Sequence, residues 1–214
     1  METQAQARPF WKNPWFIAGV TGILTLTVLQ ALQSRTLHAL PERGAVPEFE
    51  LTDASGAVFS TDDLKDRVAI VSFFFTSCST TCPAIMQAMK QVQTAVASSS
   101  AAARIHLVSV SVDPEYDTPA VMTAYAKKAN FDLTRWHLLT GTRPAIESFV
   151  VQGFRTAMGE KAPSNKGLID IAHSMKLVLV DRNGQIRHYF GTEPKDLELL
   201  AAYALEYANA EVAR

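Results

Sequence analysis

Cysteine is nearly absent from this chain. Two occur in 214 residues, Cys78 and Cys82, too few for the disulfide framework that holds a small secreted scaffold together. An excess of charge of one sign is also missing. Twenty Lys and Arg stand against 21 Asp and Glu, which leaves no field to draw in nucleic acid or an acidic partner. Internal repeats are lacking, and so are long low-complexity tracts; Ser98 to Ala103 is a short biased connection with no chemistry attached. Charge is absent altogether from residues 14–32, PWFIAGVTGILTLTVLQAL.

That uncharged stretch follows a polar tail, residues 1–13, which carries Arg8 and Lys12 and ends near Phe10, Trp11 and Trp15. At about 1.5 Å per residue it covers roughly a bilayer core, and tryptophans suit the membrane interface. A cleaved signal peptide would have a shorter apolar region and a better small-x-small site than Leu37-His38-Ala39. The sequence therefore predicts a retained single-span anchor over 14–32. A linker follows over 33–47, broken by Pro41, Gly44 and Pro47, and a folded domain over 48–210. Basic residues flank the span on both sides, so charge counting leaves its orientation open.

The two cysteines sit three positions apart in Thr76-Ser77-Cys78-Ser79-Thr80-Thr81-Cys82-Pro83. An apolar run, residues 68–75, leads in, and an amphipathic segment beginning at Pro83 leads out. The pattern reads as buried strand, tight loop and helix, with proline in the first helical turn. Cys82 at the helix N-terminus is the expected thiolate. A disulfide closing so small a loop would remove only about 2 kcal/mol of unfolded-state chain entropy, so the spacing points to a site before it points to a staple. Met86 and Met89 share the buried helix face with Ile85, Val92 and Val96, and read as core packing before soft ligands.

Further along, residues 105–112 read as a second buried strand, and Asp117 or Thr118 as the cap of a helix opened by Pro119. Trp136 to Gly141 reads as a strand, and Arg143 to Phe154 as a helix. Residues 155–172 are irregular and long enough to be suspected of function; they deliver His173. Met175 to Val180 and Ile186 to Phe190 flank an Asn-Gly hairpin turn at Asn183-Gly184, and a helix from Pro194 to about Asn209 closes the chain. Strands alternating with helices, then a hairpin and a last helix, give an α/β fold of thioredoxin-like order, a central mixed sheet flanked by helices. His38, His106, His137 and His188 read as structural or exposed.

Four signatures in order resemble the Sco/SenC family: FFFTSCSTTCP, SVDPEYDTP, WHLLTG and HSMKLVLVDRNG. The likeness covers residues 44 to 207. The resemblance implies copper, as Cu(I) or Cu(II), bound by Cys78, Cys82 and His173, and a role as a membrane-tethered metallochaperone. Its implied partners are the copper-centre subunit of cytochrome c oxidase, whose dinuclear copper centre it would help assemble, and another copper chaperone. Many members carry Asp directly before the ligand histidine, whereas this chain has Asp170-Ile171-Ala172-His173, so a supporting role for Asp170 is open. Two thiolates and an imidazole are a soft, low-coordinate set suited to copper, while structural zinc takes four ligands. The alternative from the same cysteines is an enzyme, a thiol–disulfide oxidoreductase that reduces the target's cysteines, although this loop is one residue longer than Cys-x-x-Cys.

A redox-active pair and an extracytoplasmic target place the domain outside the cytoplasm, anchored in the inner (cytoplasmic) membrane. Alkaline phosphatase fused after Arg214 should therefore be active, and a fluorescent cytoplasmic reporter at the same site dark. The reverse pattern would put both cysteines in the cytoplasm.

Overall fold

The computed structural model describes residues 11, 14–33, 37–155, 162–163, 169–170 and 176–210; the side chains of 28–33, 162–163 and 169–170 are outside the description. The chain divides into two compact units, residues 1–39 and 40–214.

The first unit holds helix α1, Pro14–Gln33, with no acidic residue in its first turn and no basic residue in its last. Trp15, Ile17, Ile23, Leu24 and Leu26 are all exposed. Thr21, Thr25 and Thr27 turn their hydroxyls back onto the carbonyls of Ile17, Thr21 and Ile23, one turn earlier. The segment expected to span a membrane is thus helical. Among the described residues, no helix is long and apolar enough to cross a membrane.

The second unit is built on a seven-stranded sheet. Its strands are β1 (Glu50–Asp53), β2 (Val58–Ser60), β3 (Val68–Phe74), β4 (Ile105–Ser111), β5 (Trp136–Thr140), β8 (Leu177–Val180) and β9 (Ile186–Phe190). Ala162–Pro163 and Ile169–Asp170 form a separate two-stranded ladder, β6 and β7, inside the stretch that the sequence reads as irregular. The spatial order is β2-β1-β5-β4-β3-β8-β9. Strands β3, β4 and β5 run parallel, and β1 and β8 join this block antiparallel from either side.

Every residue of β3 is buried, as a parallel strand covered on both faces requires. That is why Val68 to Phe74 reads as an unbroken apolar run instead of an alternation. Helix α2 (Cys82–Ala97) connects β3 to β4, and α5 (Pro194–Asn209) follows the β8–β9 hairpin. Helices α2 and α5 pack on each other, with Ile85, Met86, Met89, Val92 and Val96 all turned inward. The two methionines are core residues, as expected. The β3-α2-β4 and β8-β9-α5 units make the thioredoxin-like centre. Helix α3 (Pro119–Ala129), α4 (Arg143–Glu147) and the β1–β2 hairpin are added at the β5 side. The helix expected to run unbroken from Arg143 to Phe154 instead widens after Glu147 into a π-helical turn, Ser148–Gly153.

Two local devices fix the ends. Asn183-Gly184 turns the β8–β9 hairpin with Gly184 at φ +73°. Asp181 locks that turn by accepting from the backbone N–H of Asn183 at 2.8 Å and Gln185 at 2.9 Å, and from the Arg187 guanidinium at 2.5 Å.

Three of the buried polar groups inside the sheet bond to one another. The Ser72 and Ser109 hydroxyls lie 2.7 Å apart across β3 and β4, and the Trp136 indole N–H donates to Ser109 Oγ at 2.9 Å. Ser109→Ala should leave both partners without their buried bond, at a cost of about 1–3 kcal/mol. A urea unfolding midpoint reads it directly, and an unmoved midpoint would show that the indole and Ser72 find other partners.

Candidate metal centre

The site grows from the C-terminal end of β3. Phe74 ends the strand, and the Phe75 carbonyl accepts the Cys78 N–H at 3.2 Å, so the chain turns back at once. Helix α2 then opens at Cys82, one residue earlier than Pro83, with Thr81 as its N-cap residue and no side-chain cap bond. Both cysteines are reduced and buried, Cys78 at 9% exposure and Cys82 at 0%.

Their environments differ. The Cys82 N–H, in the first turn of the helix, donates to Cys78 Sγ at 3.3 Å. The hydroxyls of Thr80 and Thr81 lie 3.7 and 3.9 Å from the same sulfur. Burial pushes the Cys78 thiol up. Hydrogen bonds from the Cys82 side chain, the backbone N–H groups of Cys82 and Thr80, and the Thr80 hydroxyl more than reverse this, bringing it down to about 7. Cys82 goes the other way: burial, the hydrogen bond to Cys78 and the charge on Cys78 and Asp117 push its thiol far up. The expectation that Cys82 is the thiolate is therefore corrected. The helix N-terminus does stabilise a thiolate, but the sulfur that receives its N–H belongs to Cys78.

A carboxylate fixes the loop from behind. Asp117, fully buried, accepts from the Thr76 N–H at 3.0 Å, from the Thr76 hydroxyl, and from the Ser111 hydroxyl at 2.6 Å. Burial pushes its carboxyl up, against the bonds that Ser111 and Thr76 donate to the charged form, with Asp113 alongside. The sequence assigns Asp117 or Thr118 to capping; the structure divides the roles. Thr118 caps α3, its side chain accepting from the Val121 N–H at 3.4 Å, which frees Asp117 to reach the thiol loop. No sequence signal carries this, because Thr76 and Asp117 are 41 residues apart. Tyr125 was also missed as a neighbour: its hydroxyl is pushed up to about 12, by burial first and then by the charge of Cys82, Cys78 and Asp117.

Of the three expected ligands the structure thus brings Cys78 and Cys82 together. His173 lies outside the described residues, as does the Asp170 side chain; the Asp170 backbone pairs with Ala162 in the β6–β7 ladder. Among the described residues no group of three His, Cys, Asp or Glu side chains could hold a metal. Of the histidines read as structural, His188 packs edge-on against Phe190, while His106 and His137 bond to each other.

The asymmetry of the thiols has a direct consequence. In the reduced, metal-free chain iodoacetamide should modify Cys78 first, at a rate rising as pH passes about 7, with Cys82 lagging. Peptide mass spectrometry reads the order, and modification of Cys82 first would overturn the assignment of the thiolate.

Comparison with known proteins identifies the family and the fold. The chain is 29% identical over 179 residues to the SCO1 protein homolog of Bacillus subtilis, covering 83% of this chain and 89% of that one. It is 30% identical over 156 residues to a SCO2-like protein of Rickettsia felis, covering 70% and 72%. Among solved structures, a SCO1/SenC family lipoprotein of Bacillus anthracis superposes with a TM-score of 0.70 at 26% identity, covering 80% of this chain and all of that one. Bradyrhizobium japonicum ScoI, solved with copper bound, superposes at 0.66 with 27% identity, covering 77% and 99%. The SCO1/SenC family model matches residues 39–207, which take in the thiol loop, the Asp117 clamp and most of the closing α5 helix, and the chain belongs to that family.

Proposed function

We propose that this chain is a membrane-tethered copper metallochaperone that binds copper through Cys78, Cys82 and His173 and assists assembly of the dinuclear copper centre of cytochrome c oxidase. The observation that carries the reading is the thiol pair itself: two reduced sulfurs in one tight loop, one of them brought down to about 7. Copper on a homologous ScoI supports the choice of metal. Thiolates and an imidazole suit Cu(I) and still hold Cu(II).

The chain's own residues do three things in this reading. Cys78, brought down to about 7, is already about half thiolate at neutral pH and gives up its remaining proton readily on binding. Cys82, held protonated until metal arrives, gives up its proton on binding. Asp117 keeps the loop in register through Thr76, so both sulfurs stay on one side of the α2 N-terminus. A site with few ligands keeps a position open for ligand exchange with the recipient.

The tether in this reading is α1, Pro14–Gln33. Its 20 residues at about 1.5 Å each match a hydrocarbon core in length, while its described part alone is not long and apolar enough to cross one. Its threonine hydroxyls bond to the helix's own carbonyls, so they carry little cost at membrane depth. With the domain on the extracytoplasmic side, a tether raises its concentration beside a membrane-bound target. The oxidoreductase alternative is favoured by no separate observation.

Titrating Cu(I) into the full chain should give one tight equivalent. Cys78→Ser, Cys82→Ser and His173→Ala should each weaken it by at least the 10–100-fold that loss of even a supporting group costs. Oxidising the pair to a disulfide should abolish tight binding, because the thiolates vanish. Undiminished affinity in one variant removes that residue from the ligand set, and tight binding by the oxidised chain moves the metal elsewhere.

A further inference from the structure

On the β5 side of the sheet, away from the thiol-bearing connection, a second set of metal-binding side chains is held in order. His106 Nδ1 on β4 and His137 Nε2 on β5 are 3.2 Å apart. Register explains the pairing: His137 sits beside Val108, and His106 lies one step back along the same face. The rings are within 7° of parallel with centroids 5.2 Å apart. Behind them, His137 Nδ1 lies 3.2 Å from Asp53 Oδ2, and the other Asp53 oxygen accepts the Ser55 N–H at 2.8 Å. A carboxylate on Nδ1 fixes the proton there and leaves the Nε2 lone pair of His137 facing His106.

These side chains line a cavity of about 730 Å³. Its two cations are turned to partners of their own: Lys65 Nζ to Asp62 at 2.7 Å and Arg67 Nη1 to the Ala103 carbonyl at 3.1 Å. His137 and Asp53 keep 22% and 17% of their side-chain surface exposed, so a solvated ion can reach them.

We propose that His106 and His137 form a two-imidazole site for a divalent transition metal, zinc or copper(II), oriented by Asp53 and independent of the thiol pair. Two metal–nitrogen bonds of about 2.0–2.1 Å at a tetrahedral angle set their nitrogens about 3.3 Å apart, close to the 3.2 Å separation in place. The metal replaces the shared proton as the link between the two nitrogens and lies off the line between them, on the cavity side. His137 Nε2 gives its lone pair directly. His106 gives up the proton on Nδ1 and carries it on Nε2 instead, so two neutral rings bind one ion with no net proton release. Both rings turn toward the cavity for their lone pairs to converge. Only two protein ligands are present, since no third side chain joins them among the described residues; water fills the remaining positions. Imidazole nitrogen suits zinc and copper(II) alike. The carboxylate–histidine pair supplies the outer support that such ligands use.

The test uses the full chain carrying Cys78→Ser, Cys82→Ser and His173→Ala, so that the proposed copper site is silent and its failure cannot mimic this one. Zn(II) alone is titrated by calorimetry and, in parallel, by NMR of the imidazole nitrogens. One equivalent should bind. His106→Gln or His137→Gln should remove that binding, and Asp53→Asn should weaken it by about 10-fold. The imidazole spectrum needs no further substitution and covers the case in which a glutamine variant misfolds: the His106 and His137 signals should move together, and those of His38 and His188 stay. No uptake of Zn(II), uptake unchanged by both glutamine variants, or shifts confined to His38 and His188 would each overturn the site.

Discussion

Asp117 ties together parts of the chain that have no other reason to meet. Its two oxygens collect the N–H and hydroxyl of Thr76, at the start of the thiol loop, and the hydroxyl of Ser111, at the end of β4. A carboxylate at 0% exposure is expensive unless its oxygens are well supplied with donors, and here three donors converge on it. Removing any one leaves a buried charge short of a partner, so the loop, the strand end and the approach to α3 stand or fall together. The Val112 N–H to Phe74 carbonyl bond at 2.9 Å extends the β3–β4 pairing up to this clamp.

The chemistry of the cysteines follows from that constraint. With the loop held, the N–H of Cys82 in the first turn of α2 is aimed at Cys78 Sγ. One sulfur thereby becomes acidic and the other, sealed at 0% exposure and hydrogen-bonded to the first, becomes the opposite. A symmetric pair would offer either thiol to an incoming group. This pair presents Cys78 as the more acidic sulfur and holds Cys82 protonated behind it.

The additions on the far side of the sheet carry polar order of their own. The β1–β2 hairpin lays Asp53 beside His137, and β4 places His106 next in line. In the sheet interior Ser72, Ser109 and the Trp136 indole satisfy one another. Between these groups the strands need no water, which lets β3 and β4 stay closely packed from the thiol loop downward.

Much of the architecture was legible in the sequence, because it rests on local patterns. The apolar run before Cys78, proline after Cys82, Thr118-Pro119 and Asn183-Gly184 each announce an element or its end, and β3, α2, α3 and the β8–β9 hairpin follow. Cys-x-x-x-Cys in that setting located the thiol site. Other features depend on groups distant in the chain, and no local pattern encodes them. Which thiol is acidic turns on the direction of one N–H and on burial. The role of Asp117 depends on Thr76, 41 residues away, which competes with the local cap and wins because Thr118 takes the capping role. The histidines of β4 and β5 read as isolated structural residues until strand register set them 3.2 Å apart. Sequence alone determined which elements form and where the sulfurs lie along the chain, since propensity and spacing are local. Tertiary structure decided which sulfur carries charge and which side chains meet, since both are set by packing between segments far apart in the chain.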